Sequence, residues 1–428
     1  MKAFIFSVSF LLFSTFTFSQ TDVATYLSKN KNAIQLNDAE KFNFLTPDFY
    51  DNQIYLFGEN HGSSQPHDID FLLFKHLYQK QNVRHYIAEV DQIKAWMLNN
   101  FLKDGNENWL TKVFKSWKAE GAQWANQSNW NKYKKLHAFY KSLPQSEKFE
   151  IIGIDVIQDY SLVNDYFKYF LNNKASKNET VVKFIAISDT IQYGNRKILG
   201  ELARKIAVDI KVNDHYKNEL KDNFSDFELF IKNAGYIGNK MFRDSIMYRT
   251  YDDIVVGKNL TNKKMYGFLG FYHTLQTKYD GRNPFATCLK QHSKQNKVVS
   301  LQMLALNSKV LLPYNEQLRK LMPANYVAQL RKENPDFPVT EKYIPYELSN
   351  DNPMMKVDGI EELKNLTAEN SVTFFKLNDS NSPYAKGKKL AEVTGFQTLK
   401  MTNEKDATTM AFQYVVLFRN SPAGMPIQ

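Results

Sequence analysis

The sequence predicts an α/β fold: a central, mainly parallel sheet flanked by helices and carrying large helical insertions. Two observations point there. The chain opens strand–helix–strand, and short apolar runs recur along it, each closing on an ionisable residue. A β-α-β opening implies parallel pairing through a right-handed crossover. Parallel strands put all their C-terminal ends on one edge, where such folds keep their ligands.

The first run is Ile54-Tyr55-Leu56-Phe57, followed by Gly58-Glu59-Asn60-His61-Gly62. It reads as a buried strand that breaks at Gly58, with Gly58 and Gly62 letting the backbone turn. In extended backbone, residues i and i+2 point the same way, so Glu59 and His61 can face one site. A polar strand-to-helix turn without chemistry would look the same in isolation. Residues Asp68 to Gln79 place Ile69, Leu72, Leu73, His76 and Leu77 at helical spacing, and Val83 to Val90 is a second strand containing Glu89 near its end.

Residues 92–148 read as helical and hold all five tryptophans, Trp96, Trp109, Trp117, Trp124 and Trp130. They serve either as core or as an aromatic wall over a ring-containing ligand. Phe149 to Asp155 is a third strand ending in an acid. A helical region follows over about 161–258, with breaks expected near 172–178, 193–195 and 233–238. Lys264 to Phe271 is a fourth strand, running directly into Tyr272-His273-Thr274, and Lys297 to Leu304 a fifth. Beyond about residue 310 prolines and asparagines become frequent. Val372 to Leu377 and Ala411 to Phe418 read as strands extending the sheet edge. The expected organisation is a leader over 1–19, an α/β core over 20–310 with insertions at about 92–148 and 161–258, and a C-terminal extension over 311–428.

The leader rests on Met1-Lys2 followed by the apolar stretch Ala3 to Phe18, with small residues Thr17 and Ser19 before Gln20. That is the pattern of a secretory signal peptide, predicting an exported, periplasmic or secreted protein. No later stretch has the ~18 uncharged apolar residues of a membrane span. The single cysteine, Cys288, excludes an intramolecular disulfide and a cysteine-rich metal site, and reads as a small buried hydrophobe. The formal charge of +10 is spread along the chain without a block of lysines, which reads as a solvated surface rather than a nucleic-acid interface.

Strand ends thus gather Glu59, His61, Glu89, Asp155 and His273 at one edge. Buried strand ends seldom keep acids and histidines without partners. G-x-S-x-G, H-E-x-x-H, P-loop and G-x-G-x-x-G patterns are absent. A histidine–carboxylate site suits activation of water by a general base on a small-molecule substrate. The same groups, Glu59, His61, Glu89 and His273, could instead ligate a divalent metal. Of the other histidines, His85 reads as a satisfied core residue, His76 and His137 as helix packing or surface, and His215 and His292 as solvated.

Five short motifs, in order, resemble the erythromycin esterase superfamily, which includes ChaN-type haem-binding and TIKI/TraB-type proteins. They are Gly58-Glu59-Asn60-His61-Gly62, Glu89 closing Ile87-Ala88-Glu89, Gly153-Ile154-Asp155, Arg243-Asp244-Ser245-Ile246-Met247 and Gly270-Phe271-Tyr272-His273. One residue rather than two separates Glu59 from His61, which is closer to the ChaN and TIKI side, and His67 resembles the ChaN pattern. The resemblance implies an ester or lactone hydrolase that uses no cofactor. His61 would be the general base, held by Glu59 or Glu89. His273 would donate to the oxyanion or leaving alcohol, Arg243 would pair with a site acid or a substrate anion, and Asp155 and Asp244 would support them. The other branches imply a metal-dependent hydrolase, or a haem binder using His61, His67 or Tyr272 toward iron. A scaffold that has lost its activity is the remaining alternative.

Overall fold

The computed structural model describes residues 20–36, 42–171, 178–190, 196–238, 240–294, 296–395 and 398–427. The expected leader, residues 1–19, lies outside them, as do the helical breaks expected at 193–195 and, but for residue 178, at 172–178. The twelve described strands are β1 (Lys31–Ile34), β2 (Ile54–Glu59), β3 (His85–Ala88), β4 (Glu150–Gly153), β5 (Met265–Gly270), β6 (Val298–Leu306), β7 (Ser308–Pro313), β8 (Tyr343–Leu348), β9 (Met355–Val357), β10 (Val372–Lys376), β11 (Val393–Gly395) and β12 (Tyr414–Arg419). Eight of them form the central sheet in the order β1-β10-β12-β6-β2-β5-β3-β4. From β12 to β4 every pairing is parallel, and only β10 runs against its neighbours. The chain is therefore α/β with a mostly parallel sheet and many flanking helices, as expected.

Period-two burial explains how this sheet is covered on both sides. In β2, Tyr55 and Phe57 face one apolar cluster, which also takes in the helices Pro66–Gln81, Gln92–Asp104, Glu107–Glu120 and Gln127–Ser142. Ile54 and Leu56 face another, built with Met247, Tyr251 and Ile254 of the helix Arg243–Gly257 and with Phe285 and Leu289. Helix boundaries follow local chemistry. Asp91 caps Gln92–Asp104 by accepting from the backbone N–H groups of Ile93 and Lys94, both at 3.0 Å, and Gly105 ends that helix in a left-handed conformation.

Two expectations change. β10 and β12 do join the sheet, but neither is an edge: β12 lies between β6 and β10, and β1 is the outer strand. Val415, Val416, Leu417 and Phe418 are all fully buried, as a strand covered on both faces requires. The sheet thus draws strands from both sides of residue 310. Gly58 is not a breaking point either, because β2 continues through Glu59. A Cβ at Gly58 would lie 2.3 Å from Thr274 Oγ1 and 2.8 Å from Gln302 Oε1, so glycine is needed for close packing of the turn after β5. Gly62, with φ +90, makes the turn.

Candidate active site

Register brings the strand ends level. Glu59 of β2 lies opposite Gly270 of β5, and Ala88 of β3 pairs with Phe268 of β5 and Gly153 of β4. Just beyond, the backbone N–H of Asp155 donates to Val90 O at 2.9 Å. Glu59 continues the face of Tyr55 and Phe57, whereas the helix carrying Arg243 and Asp244 covers the opposite face. The site therefore straddles the C-terminal edge of the sheet, built from both faces.

On the first face, His61 Nδ1 lies 3.0 Å from Glu59 Oε1, so the i,i+2 pairing expected of extended backbone forms. That contact leaves Nε2 as the nitrogen available for chemistry, 3.9 Å from Glu89 Oε1. The His61 side chain is 24% exposed and packs edge-on against Trp124, with ring centroids 4.8 Å apart. Its loop is pinned from three directions. Gly62 O accepts from Leu311 N at 2.9 Å and Gly424 N at 2.7 Å, and Gln123 bridges His61 O and Leu311 O. The C-terminal segment thus holds the histidine loop, a role that carries no local sequence signal. Burial works against the His61 imidazolium, but the hydrogen bond to Glu59 and the charge of Glu89 outweigh it, so the pKa is raised above 6.5.

On the second face, charges alternate. Arg243 donates from Nε to Asp155 Oδ1 at 2.9 Å and from Nη2 to Asp155 Oδ2 and, at 2.8 Å, to Glu89 Oε1. Glu89 Oε2 accepts from Gly270 N at 2.6 Å, and His273 Nε2 lies 3.3 Å from Glu89 Oε1. His273 Nδ1 meets Asp244 Oδ1 at 2.7 Å, and Asp244 also accepts from Phe285 N. Burial raises the Glu89 pKa, but His273, Arg243 and His61 together hold it well below the usual carboxylate range. Burial disfavours the His273 imidazolium, yet Glu89 and Asp244 push its pKa up to about 10, so His273 is a cation at neutral pH. Met247, one turn beyond Arg243, is fully buried against the sheet, which explains the spacing of Arg243-Asp244-Ser245-Ile246-Met247.

Glu59, His61, Glu89, His273, Arg243, Asp155 and Asp244 therefore lie in one connected cluster. His67 stands behind it, inside the helix Pro66–Gln81, 2% exposed and edge-on to Phe268. It lines a cavity of about 40 Å³ with Glu59, His61, Glu89, Trp117, Trp124, Asn129, Lys132 and Tyr133. Of the five tryptophans, Trp117 and Trp124 wall this cavity, while Trp96 packs on Trp109 and Trp130 on Phe114. A larger cavity of about 240 Å³ lies against edge strand β4 and contains none of these site residues. His85, expected to be satisfied in the core, sits half-buried at the start of β3, with no hydrogen-bond partner at Nδ1. His76 bonds Tyr50 and His137 bonds Leu102 O, both in packing roles.

The alternative ligand sets fit less well. Among the described residues no three His, Cys, Asp or Glu side chains are disposed to share a metal ion. Glu89 is committed to Arg243, Gly270 and His273. For haem, the 40 Å³ beside His67 compares with about 300–1,000 Å³ for ordinary ligand pockets. Tyr272 packs against a separate apolar cluster with Leu275 and Tyr279.

No protein-family model matches this sequence, and no curated protein does. Three solved structures share the fold. A Bacillus cereus protein superposes with a TM-score of 0.67 at 14% identity, covering 96% of this chain and 100% of its own. A succinoglycan biosynthesis protein gives 0.64 at 12% identity, covering 95% and 99%. A mutant erythromycin esterase in its open conformation gives 0.58 at 12% identity, covering 92% and 98%. The fold is therefore erythromycin esterase-like, over nearly the whole length of each chain.

Proposed function

We propose that this protein is a hydrolase that activates water against an ester or lactone without a metal ion. The observation that carries this reading is the His61–Glu59 pair at the open C-terminal edge, with Nε2 of His61 3.9 Å from Glu89, the carboxylate that Arg243 and His273 share. Neutral His61 takes a proton from water at Nε2. Glu59 holds the tautomer and stabilises the imidazolium that forms. Glu89 is too acidic to serve as the base. Its charge instead fixes Arg243 and His273 and steadies the protonated base.

Protonated His273 donates toward the oxyanion or the leaving alcohol, exchanging its long contact to Glu89 for the substrate. Arg243, 39% exposed, presents Nη1 with no carboxylate on it, suiting a developing or resident negative charge. Trp124, edge-on to the part-exposed His61 ring, favours a substrate with an apolar ring or face. The esterase fold adds weight at the level of architecture alone. The test is turnover of a panel of esters and lactones by the purified chain, with and without chelator. Chelator-resistant hydrolysis is expected. Absence of turnover across the panel, or its loss on chelation, overturns the reading.

We also propose export through residues 1–19, which predicts a mature chain beginning near Gln20. N-terminal sequencing of protein recovered outside the cytoplasm, with Met1 intact, would overturn it.

A further inference from the structure

Behind the His61–Glu59 pair, several buried polar atoms without a protein partner belong to residues that line one small cavity. Glu59 is 4% exposed, and while Oε1 meets His61, Oε2 has no donor. His67 is 2% exposed, and neither ring nitrogen has a partner. Trp124 Nε1 and Asn129 Oδ1 are likewise unpartnered. The Asn129 amide orientation is set, because Nδ2 donates to Trp124 O at 2.9 Å. All four residues line the same cavity of about 40 Å³. Buried polar atoms are rarely left unpaired, and a carboxylate oxygen is among the costliest to leave so.

Lys132 does not supply the missing donor. Its Nζ is 2.9 Å from Asp70 Oδ2 and 3.4 Å from Tyr86 OH, and lies over the rings of Tyr133 and Phe268. Burial and the nearby Lys132 and His61 hold the His67 pKa well below its usual value, so the ring is neutral. It then offers one N–H and one lone pair. The residues lining the cavity thus carry two unpaired donors, His67 N–H and Trp124 Nε1–H, and three unpaired acceptors, Glu59 Oε2, Asn129 Oδ1 and the second His67 nitrogen. A cavity of about 10–15 Å³ already admits a water, which uses two to four such partners. The cavity has room for an ordered water and the polar groups to hold one.

The geometry points to an ordered water in this cavity, held by His67 and Glu59 Oε2, and to His67 as a positioning residue that fixes Glu59 behind His61. The inference rests on the His61–Glu59 pair of the proposed function but needs no turnover. The charged groups around that pair are Glu89 after β3, His273 after β5, Arg243 beyond Glu89, and Lys132 with Asp70 behind His67. Only the cavity water bridges His67 to Glu59. Without His67 the carboxylate loses solvation at Oε2 and draws harder on the His61 proton.

The experiment has two arms on the full chain. The first is a high-resolution crystal structure of the wild type, in which a water within hydrogen-bond distance of both Glu59 Oε2 and a His67 nitrogen is expected. The second is the titration of the His61 imidazole by nuclear magnetic resonance, which requires no substrate. His67→Leu raises the midpoint by about one pH unit, the scale of one lost charge-assisted hydrogen bond. His67→Gln, which keeps a donor and an acceptor, restores it. If His67→Leu does not fold, Trp124→Phe removes the other donor and shifts the midpoint the same way. Density without such a water, or midpoints unchanged in the folded variants, overturns the inference. Failure of the hydrolase reading alone shows differently, as absent turnover with the water and the shifts intact.

Discussion

Arg243 Nη2 donates to Glu89 Oε1 at 2.8 Å, tying the first turn of a helix on one face of the sheet to the end of a strand 154 residues earlier. The same guanidinium holds Asp155, and Glu89 passes the contact on to His273. One arginine thus joins three strand ends into a single electrostatic unit, and replacing it tests that unit.

Arg243→Met should leave Asp155 and Glu89 buried without their shared cation. Breaking a fully buried pair costs about 3–5 kcal/mol. With Arg243 39% exposed and partly screened, a loss of about 2–3 kcal/mol is expected in chemical denaturation. Arg243→Lys should recover only part of it, since an ammonium cannot reproduce the forked contact. Wild-type stability in Arg243→Met would show that the network is not structural.

His61→Ala should abolish hydrolysis with the fold intact. A lost general base costs roughly 10²–10⁴-fold in rate. Glu59→Gln should cost nearly as much by misorienting the imidazole. Circular dichroism with turnover on the best panel substrate checks both. Added Zn²⁺ or Mn²⁺ should rescue neither, whereas a metal mechanism predicts partial rescue.

Activity should be bell-shaped in pH. The base acts when neutral, and the His61 pKa is raised, so the acid limb should lie above pH 6.5. The donor acts when protonated, and His273 titrates at about 10, so activity should fall through an alkaline limb there. The same raised pKa makes a stability statement. The His273 contribution is complete below about 6.5, its unfolded value, and is lost as pH rises through about 10. A rate profile with its acid limb at or below 6.5 would contradict the assignment of His61.

Gly270→Ala should damage the site while leaving most of the fold. A Cβ there would lie 2.8 Å from His61 Nε2 and 3.2 Å from Glu89 Oε2. Displacing a reacting group by about 1 Å can cost 10²-fold. A drop of that size in kcat, with a smaller change in melting temperature than Arg243→Met, is expected.

The mostly parallel sheet was legible because its evidence is local. Apolar runs such as Ile54–Phe57 and Met265–Leu269, separated by helical spacing, specify strands covered on both faces. Parallel pairing then puts Glu59, Glu89, Asp155 and His273 on one edge without knowledge of any contact. The Glu59–His61 pair was legible for the same reason, since residue alternation in extended backbone is a property of two neighbours. Strand order was not legible: nothing near Val415 says that it lies between β6 and β10, because sheet position depends on long-range pairing. Nor does Gly58 announce that it makes room for Thr274 and Gln302. The charge on His273, the acidity of Glu89 and the cavity behind Glu59 belong to tertiary structure alone. The first two are sums of burial and of charges brought from distant segments, and none of the three exists until the chain has closed.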